Sequence, residues 1–176
     1  IRLVDEAGQD VIEPNVPGEV FVRSANNFVD YHKATEKFTA NRRGDFLSVG
    51  DVAYRDTEGF YYICDRKRDM IISGGMNVYP AEIEAALERH PAVQEVAVFG
   101  IPSEEWGEAV HAVVVVQAGQ TLAPEALMAF GREHLANYKV PRSISFAAKL
   151  PKTGSGKILK RSLREPFWQG RTRRVG

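Results

Sequence analysis

One cysteine, Cys64, occurs in the 176 residues, so no intrachain disulfide can form, and the chain suits a reducing compartment. It lies in the apolar run "FYYIC", where a buried, inert thiol is expected. Neither sign of charge prevails: 23 Lys and Arg stand against 23 Asp and Glu, leaving no net field to draw in nucleic acid or an anionic membrane. No nucleic-acid partner is expected, and charged partners must be met locally. Long apolar runs are missing too. "AVHAVVVVQ" falls far short of the roughly 20 residues a helical span requires, so no transmembrane helix is expected. The opening "IRLVDEAG" has no initiator Met and no charged-then-apolar leader. A cytoplasmic piece of something longer is expected, with peripheral attachment to a membrane left open.

What is present is apolar material, 44% of the residues, enough for one or two compact cores, one of them of about 100 residues. Residues 1 to 64 read mostly as β. "IRLVD", "GEVFVRS", "FLSVGDVAYRD" and "GFYYIC" are rich in β-branched and aromatic residues and are separated by turn signals such as Glu6-Ala7-Gly8 and Thr57-Glu58-Gly59. A meander or small barrel is the natural packing. "HKATEKFTANRRGD" interrupts it with room for a helical turn or two before Gly44.

At "DRKRD", residues 65 to 69, the composition changes. A run this polar cannot be buried without partners. It is either a boundary or hinge between residues 1–66 and 69–176, or a solvated turn between two strands. Beyond it the pattern becomes α+β. "YPAEIEAALERH" carries a proline suited to a first helical turn, Glu82 and Glu84 near the positive end of the dipole, and Ile83 with Leu87 on one face. "VQEVAVFGIP" and "EAVHAVVVVQ" read as strands, the second buried on both faces. "APEALMAFGREHLANY" predicts a helix with Leu127, Phe130 or Gly131, and His134 on one stripe, which Leu135 and Tyr138 extend. "SISFAA" is a last strand, "KILKRSLRE" a short helix, and "RTRRVG" a basic, disordered tail.

The stretch "LPKTGSGKILKR" leaves three roles for Lys157: a solvated loop lysine, a phosphate-loop lysine, or a cation delivered into a cleft. The phosphate-loop pattern requires a glycine where Pro151 stands and a Ser or Thr where Ile158 stands, and no strand feeds the loop, so that role is rejected. Glycine and serine around Lys157 predict a pliable loop that suits delivery, and an exposed turn before a helix is the plain alternative.

In order along the chain stand "SVGD" at 48–51, "DRKRDMIISGGMNVYPAEIE" at 65–84, "WGE" at 106–108 and "LPKTGSGKILKR" at 150–161. With these motifs the chain resembles the carboxyl-terminal part of the adenylate-forming acyl-CoA synthetase superfamily, over essentially residues 1 to 165. The resemblance implies an α+β architecture. Residues 1–66 would be the end of a β-barrel-like subdomain, the last part of a large amino-terminal adenylating domain. Residues 69–176 would be a small α/β lid with a short central sheet flanked by helices, hinged near 65–69. The lid's partner would be the chain's own amino-terminal domain. The substrates implied are a carboxylic acid, ATP and coenzyme A (CoA), with magnesium (Mg2+) ligands and the acid pocket upstream. The chain alone would be inactive.

The same resemblance implies roles for single residues. Asp51 would accept both ribose hydroxyls of ATP, with Arg66 also approaching the ribose; either could otherwise be a turn residue. Arg68 stands at the hinge, where the family usually has Asp or Lys. Lys157 would stabilise the charge that spreads as the carboxylate attacks the α-phosphorus. Gly75 would line the pantetheine channel; "SGG" is otherwise a tight turn. Trp106, Tyr138, Val140 and Arg142 fall at CoA-contacting positions, with core packing as the competing role for Tyr138 and Val140. The "MIISGG" style favours transfer to CoA over the peptide-synthetase branch. An independent binding module, a luciferase-like oxygenase and a peptide-synthetase-like adenylation domain remain the alternatives.

Overall fold

Short β-branched runs interrupted by turns fold the early chain into an antiparallel meander. A computed structural model describes residues 1–25 and 35–171. Part of the segment expected to hold a helical turn, and residues 172–176 of the expected disordered tail, lie outside the described residues. The chain divides into two compact units, Ile1–Arg68 and Asp69–Gly176.

The first unit contains β1 (Arg2–Val4), β2 (Gly18–Val22), α1 (Thr35–Ala40), β3 (Arg42–Arg43), β4 (Phe46–Arg55) and β5 (Tyr61–Arg66). The sheet runs β1-β2-β4-β3, and β5 pairs with the second half of β4. Leu3, Val20 and Ala53 form its small core. β5 pairs only with β4 among the described residues, so Tyr61, Tyr62 and Ile63 are 40%, 45% and 64% exposed. For the same reason Cys64 is half-buried, against the expectation of a buried thiol.

The second unit contains β6 (Ile71–Ser73), β7 (Met76–Val78), α2 (Pro80–Leu87), β8 (Val93–Ser103), β9 (Gly107–Val116), α3 (Pro124–His134), β10 (Ser143–Phe146) and α4 (Lys160–Arg164). β8 and β9 form a long antiparallel hairpin, while β10 joins β9 in parallel and β6 joins it near Gly107. Two-residue alternation sorts the apolar side chains of this hairpin onto both faces. Val96, Val98, Val110, Ala112 and Val114 face α2 and α3, sharing a core with Ile83, Leu87 and Leu127. Ala97, Phe99, Val113 and Val115 face the other way, toward Leu150, Ile158 and Leu163. The double burial read from the valines of β9 is what forms.

Two sequence expectations shift. α3 ends at His134, which is exposed, and Tyr138 falls in a separate 3-10 turn, Asn137–Lys139. The buried stripe is therefore Leu127 and Gly131, flanked by the partly buried Phe130 and Leu135. The last helix starts at Lys160 instead of Lys157, because Lys157 and Ile158 continue an extended arm that pairs back on Lys152.

Candidate active site

Lys157 sits on a turn whose backbone is closed by its own hydrogen bonds. The amide of Thr153 donates to the Lys157 carbonyl at 2.8 Å, Gly156 donates to the Thr153 carbonyl at 2.9 Å, and Leu159 donates to the Pro151 carbonyl at 2.8 Å. Inside it the Lys157 amide donates to Thr153 Oγ1 at 3.1 Å. Gly156 has φ +83°, which only glycine adopts without strain, so the glycine serves the turn's closure. The "TGSGK" segment expected to be a loop forms a hydrogen-bonded turn, with Lys157 exposed at its tip.

The base of that tip is tied to the rest of the unit through α4. Lys160 Nζ lies 2.7 Å from Glu84 Oε1, and both side chains are about five-sixths buried, at 16% and 17% exposure. The same carboxylate oxygen accepts the Val98 amide at 2.7 Å, so Glu84 caps the outer edge of β8. At the end of α4, Arg164 approaches Asp69 at 3.8 Å. Glu82 stands in the first turn of α2, as the dipole expectation has it, and also takes Lys139 at 2.7 Å, while Glu84 makes the tertiary contacts to Lys160 and Val98.

In the first unit, Asp51 and Arg66 are cross-strand partners in the β4–β5 ladder, with Arg66 Nε 3.7 Å from Asp51 Oδ1. At that separation the carboxylate keeps lone pairs for other donors. Beside them Glu19 receives Ser48 Oγ and, at 2.8 Å, Lys67 Nζ. Arg68 stands in the 3-10 turn Lys67–Asp69, at the division between the units. Its neighbours are each held within their own unit, Lys67 by Glu19 and Asp69 by Arg164.

Gly75 and Trp106 line one cavity of about 310 Å³ in the second unit. The "SGG" turn carries two left-handed glycines, Gly74 at φ +57° and Gly75 at +82°. A Cβ on Gly74 would stand 2.8 Å from the Trp106 ring, and the Gly74 amide donates to the Trp106 carbonyl at 2.9 Å. The Arg142 guanidinium lies over the Trp106 ring, 4.9 Å from its centroid. Tyr138 and Val140 are not among the residues lining the cavity. Tyr138 is 36% exposed, and Val140 is 5% exposed beside Gly131.

Sequence reasoning passed over Trp168, which lines the same cavity, and it placed Arg171 in a disordered tail although Arg171 lines the cavity as well. The signal available was the aromatic pair in "EPFWQG". It also passed over His111, which is 4% exposed under Phe99 and Phe167. Its ring nitrogens meet Ser143 Oγ at 2.7 Å and Ser145 Oγ at 3.0 Å. Burial pushes its pKa below the usual histidine value. Among the described residues no group of three or more His, Cys, Asp or Glu could hold a metal ion, and no helix is long and apolar enough to cross a membrane.

Residues 82–157 match the family model of the AMP-binding enzyme C-terminal domain. A long-chain-fatty-acid–CoA ligase of Bacillus subtilis (strain 168) is 45% identical over 161 residues, which is 92% of this chain and 29% of the relative. A feruloyl-CoA synthase of an Amycolatopsis species is 42% identical over 167 residues, 95% of this chain and 34% of the relative. Among solved structures, ATP-bound MatB from Rhodopseudomonas palustris superposes with a TM-score of 0.87 at 35% identity, over 94% of this chain and 33% of that one. The chain therefore spans about a third of the length of the proteins it matches.

Proposed function

The chain belongs to the adenylate-forming acyl-CoA synthetase superfamily and contains its AMP-binding enzyme C-terminal domain, and from that premise we propose that it works as the lid of an ATP-dependent ligase joining a fatty or aryl acid to CoA. The observation that carries this is Lys157, exposed at the tip of a hydrogen-bonded turn whose base α4 fixes. Such a cation is anchored at its backbone and open to a partner surface, with its side-chain freedom still to be lost when it engages.

In the first half-reaction the substrate carboxylate oxygen bonds to the α-phosphorus of ATP and pyrophosphate leaves. Negative charge spreads over the phosphoryl oxygens, and the Lys157 ammonium stabilises it. Asp51 accepts the ribose hydroxyls as an acceptor-only group, with Arg66 opposite it in the ladder orienting the carboxylate. In the second half-reaction the CoA sulfur bonds to the acyl carbon and AMP leaves. Lys157 withdraws, and the lid turns about Arg68 to present Gly75, whose missing side chain leaves room for the pantetheine arm. Trp106 and Arg142 hold the far end of CoA. Tyr138 adds exposed surface, while Val140 takes the competing role of core packing beside Gly131.

The test uses the full-length enzyme with carboxylic acids of graded chain length and aromatic character. Acid-dependent ATP–pyrophosphate exchange, followed by CoA-dependent AMP release, is expected for at least one class. No exchange with any acid, alongside an intact fold, would leave a binding module as the better description.

A further inference from the structure

Trp168 lines the same cavity as Trp106, and the reaction proposed above gives it no role. It closes the 3-10 turn Glu165–Trp168 that follows α4. Three contacts fix the turn. The Trp168 indole donates to the Gly100 carbonyl at 2.9 Å, the Phe167 ring lies 5.1 Å from His111, and the Arg171 amide donates to the Trp168 carbonyl at 3.0 Å. An indole pinned so firmly would normally fill the space it faces. Here a cavity of about 310 Å³ stays open between the two tryptophans' elements, bounded also by Ile72, Gly75, Glu108 and Arg171.

That volume lies at the low end of small-molecule sites, roughly 300–1,000 Å³. The wall chemistry narrows the occupant. Indole faces favour a planar π-system, and a guanidinium offers forked donors to phosphate. Glu108, 4% exposed, places a carboxyl group in the wall and disfavours an anion next to it, so a phosphate is directed to the Arg171 side. An aminopurine carrying phosphate satisfies all of these with its ring inward and its phosphate toward Arg171.

We propose that Trp168 and Arg171 join Trp106 in clamping the nucleotide end of CoA, so that the turn after α4 determines whether the enzyme prefers whole CoA to shorter pantetheine thiols. The inference rests on the ligase assignment. ATP and AMP share the same ring and phosphate chemistry, and separate arms of the test distinguish them.

In the full-length enzyme, Trp168→Ala is expected to raise the KM for CoA roughly tenfold, the scale of one lost base–indole stack. Arg171→Ala should raise it several-fold, and Trp168→Phe, which keeps a π-face, should stay near wild type. The KM for pantetheine and for ATP should not move. Equal rises for CoA and pantetheine, an unchanged CoA KM, or a rise confined to ATP would each overturn the clamp. Calorimetric titration with adenosine 3′,5′-bisphosphate and with AMP requires no turnover. The bisphosphate alone should bind more weakly to both alanine variants, and equal affinity across the variants overturns the proposal. A wild type that never uses CoA would defeat the ligase assignment, while the titration still decides the clamp.

Discussion

Glu84 on α2 and Lys160 on α4 meet across the outer edge of β8, where one carboxylate oxygen takes both the Lys160 ammonium and the Val98 amide, each at 2.7 Å. The two helices cover opposite faces of the hairpin, so this pair ties the layers together at a strand edge. Three residues earlier in the chain stands Lys157.

Removing either partner leaves a mostly buried charge without its counter-ion. Glu84→Ala or Lys160→Met is expected to cost about 1–3 kcal/mol, below the range for fully buried pairs because some solvent reaches both groups. A lowered urea midpoint at unchanged slope checks it. No shift in the midpoint would mean that water already screens the pair.

Lys157→Ala in the full-length enzyme should slow acyl-adenylate formation by about 10²–10³, the usual scale for one preorganised charge at a transition state. Conversion of supplied acyl-adenylate to thioester should persist. Lys157→Arg should not restore the first step, since a planar fork presents its charge differently from a compact ammonium. Equal loss of both steps would contradict the division of roles between the two half-reactions.

Asp51→Ala removes a charge-assisted acceptor and should raise the KM for ATP about 10- to 100-fold. Arg66→Ala should do less, because the 3.7 Å separation makes it an orienting neighbour of the carboxylate. The comparison is made by ATP–pyrophosphate exchange, and a larger effect from Arg66 would reverse the assignment.

Gly75→Ala meets no atom within 4 Å, so its cost is backbone strain at φ +82°, about 1–2 kcal/mol, plus a methyl group beside the cavity. Gly74→Ala adds a clash with the Trp106 ring at 2.8 Å. Both should slow thioester formation more than adenylate formation, with Gly74→Ala the less stable protein. Single-turnover assays of each half-reaction decide.

His111 is held neutral in the fold, its pKa lowered from 6.5 by burial. The unfolded chain therefore takes up a proton near pH 6.5 that the folded chain refuses. Stability should be flat above that pH and decline as pH falls below it. His111→Gln should flatten the decline in urea midpoints measured between pH 7 and 5; an unchanged slope would assign the acid sensitivity elsewhere.

The valines of β9 and the Pro80 helix were legible because their periodicity answers directly to burial: Ile83 and Leu87 are 0% exposed. The family was legible through the order of its motifs in the chain, and two residues of those motifs, Asp51 and Arg66, are cross-strand partners. Tertiary engagement was not legible. Nothing local says that Glu84 leaves its helix dipole for Lys160, 76 residues away. Trp168 escaped notice because an aromatic after a short helix looks like any packing residue until the Gly100 carbonyl beneath it is seen. In "TGSGK" the composition does not reveal that Gly156 takes φ +83° and donates to the Thr153 carbonyl to close a turn.

The closed turn that carries Lys157 sets where its backbone stands, and only the long side chain is left to search from there. A tilt of α4 or of the edge clip would move that anchor, and the stem would absorb only the part of the error that lies within its own reach.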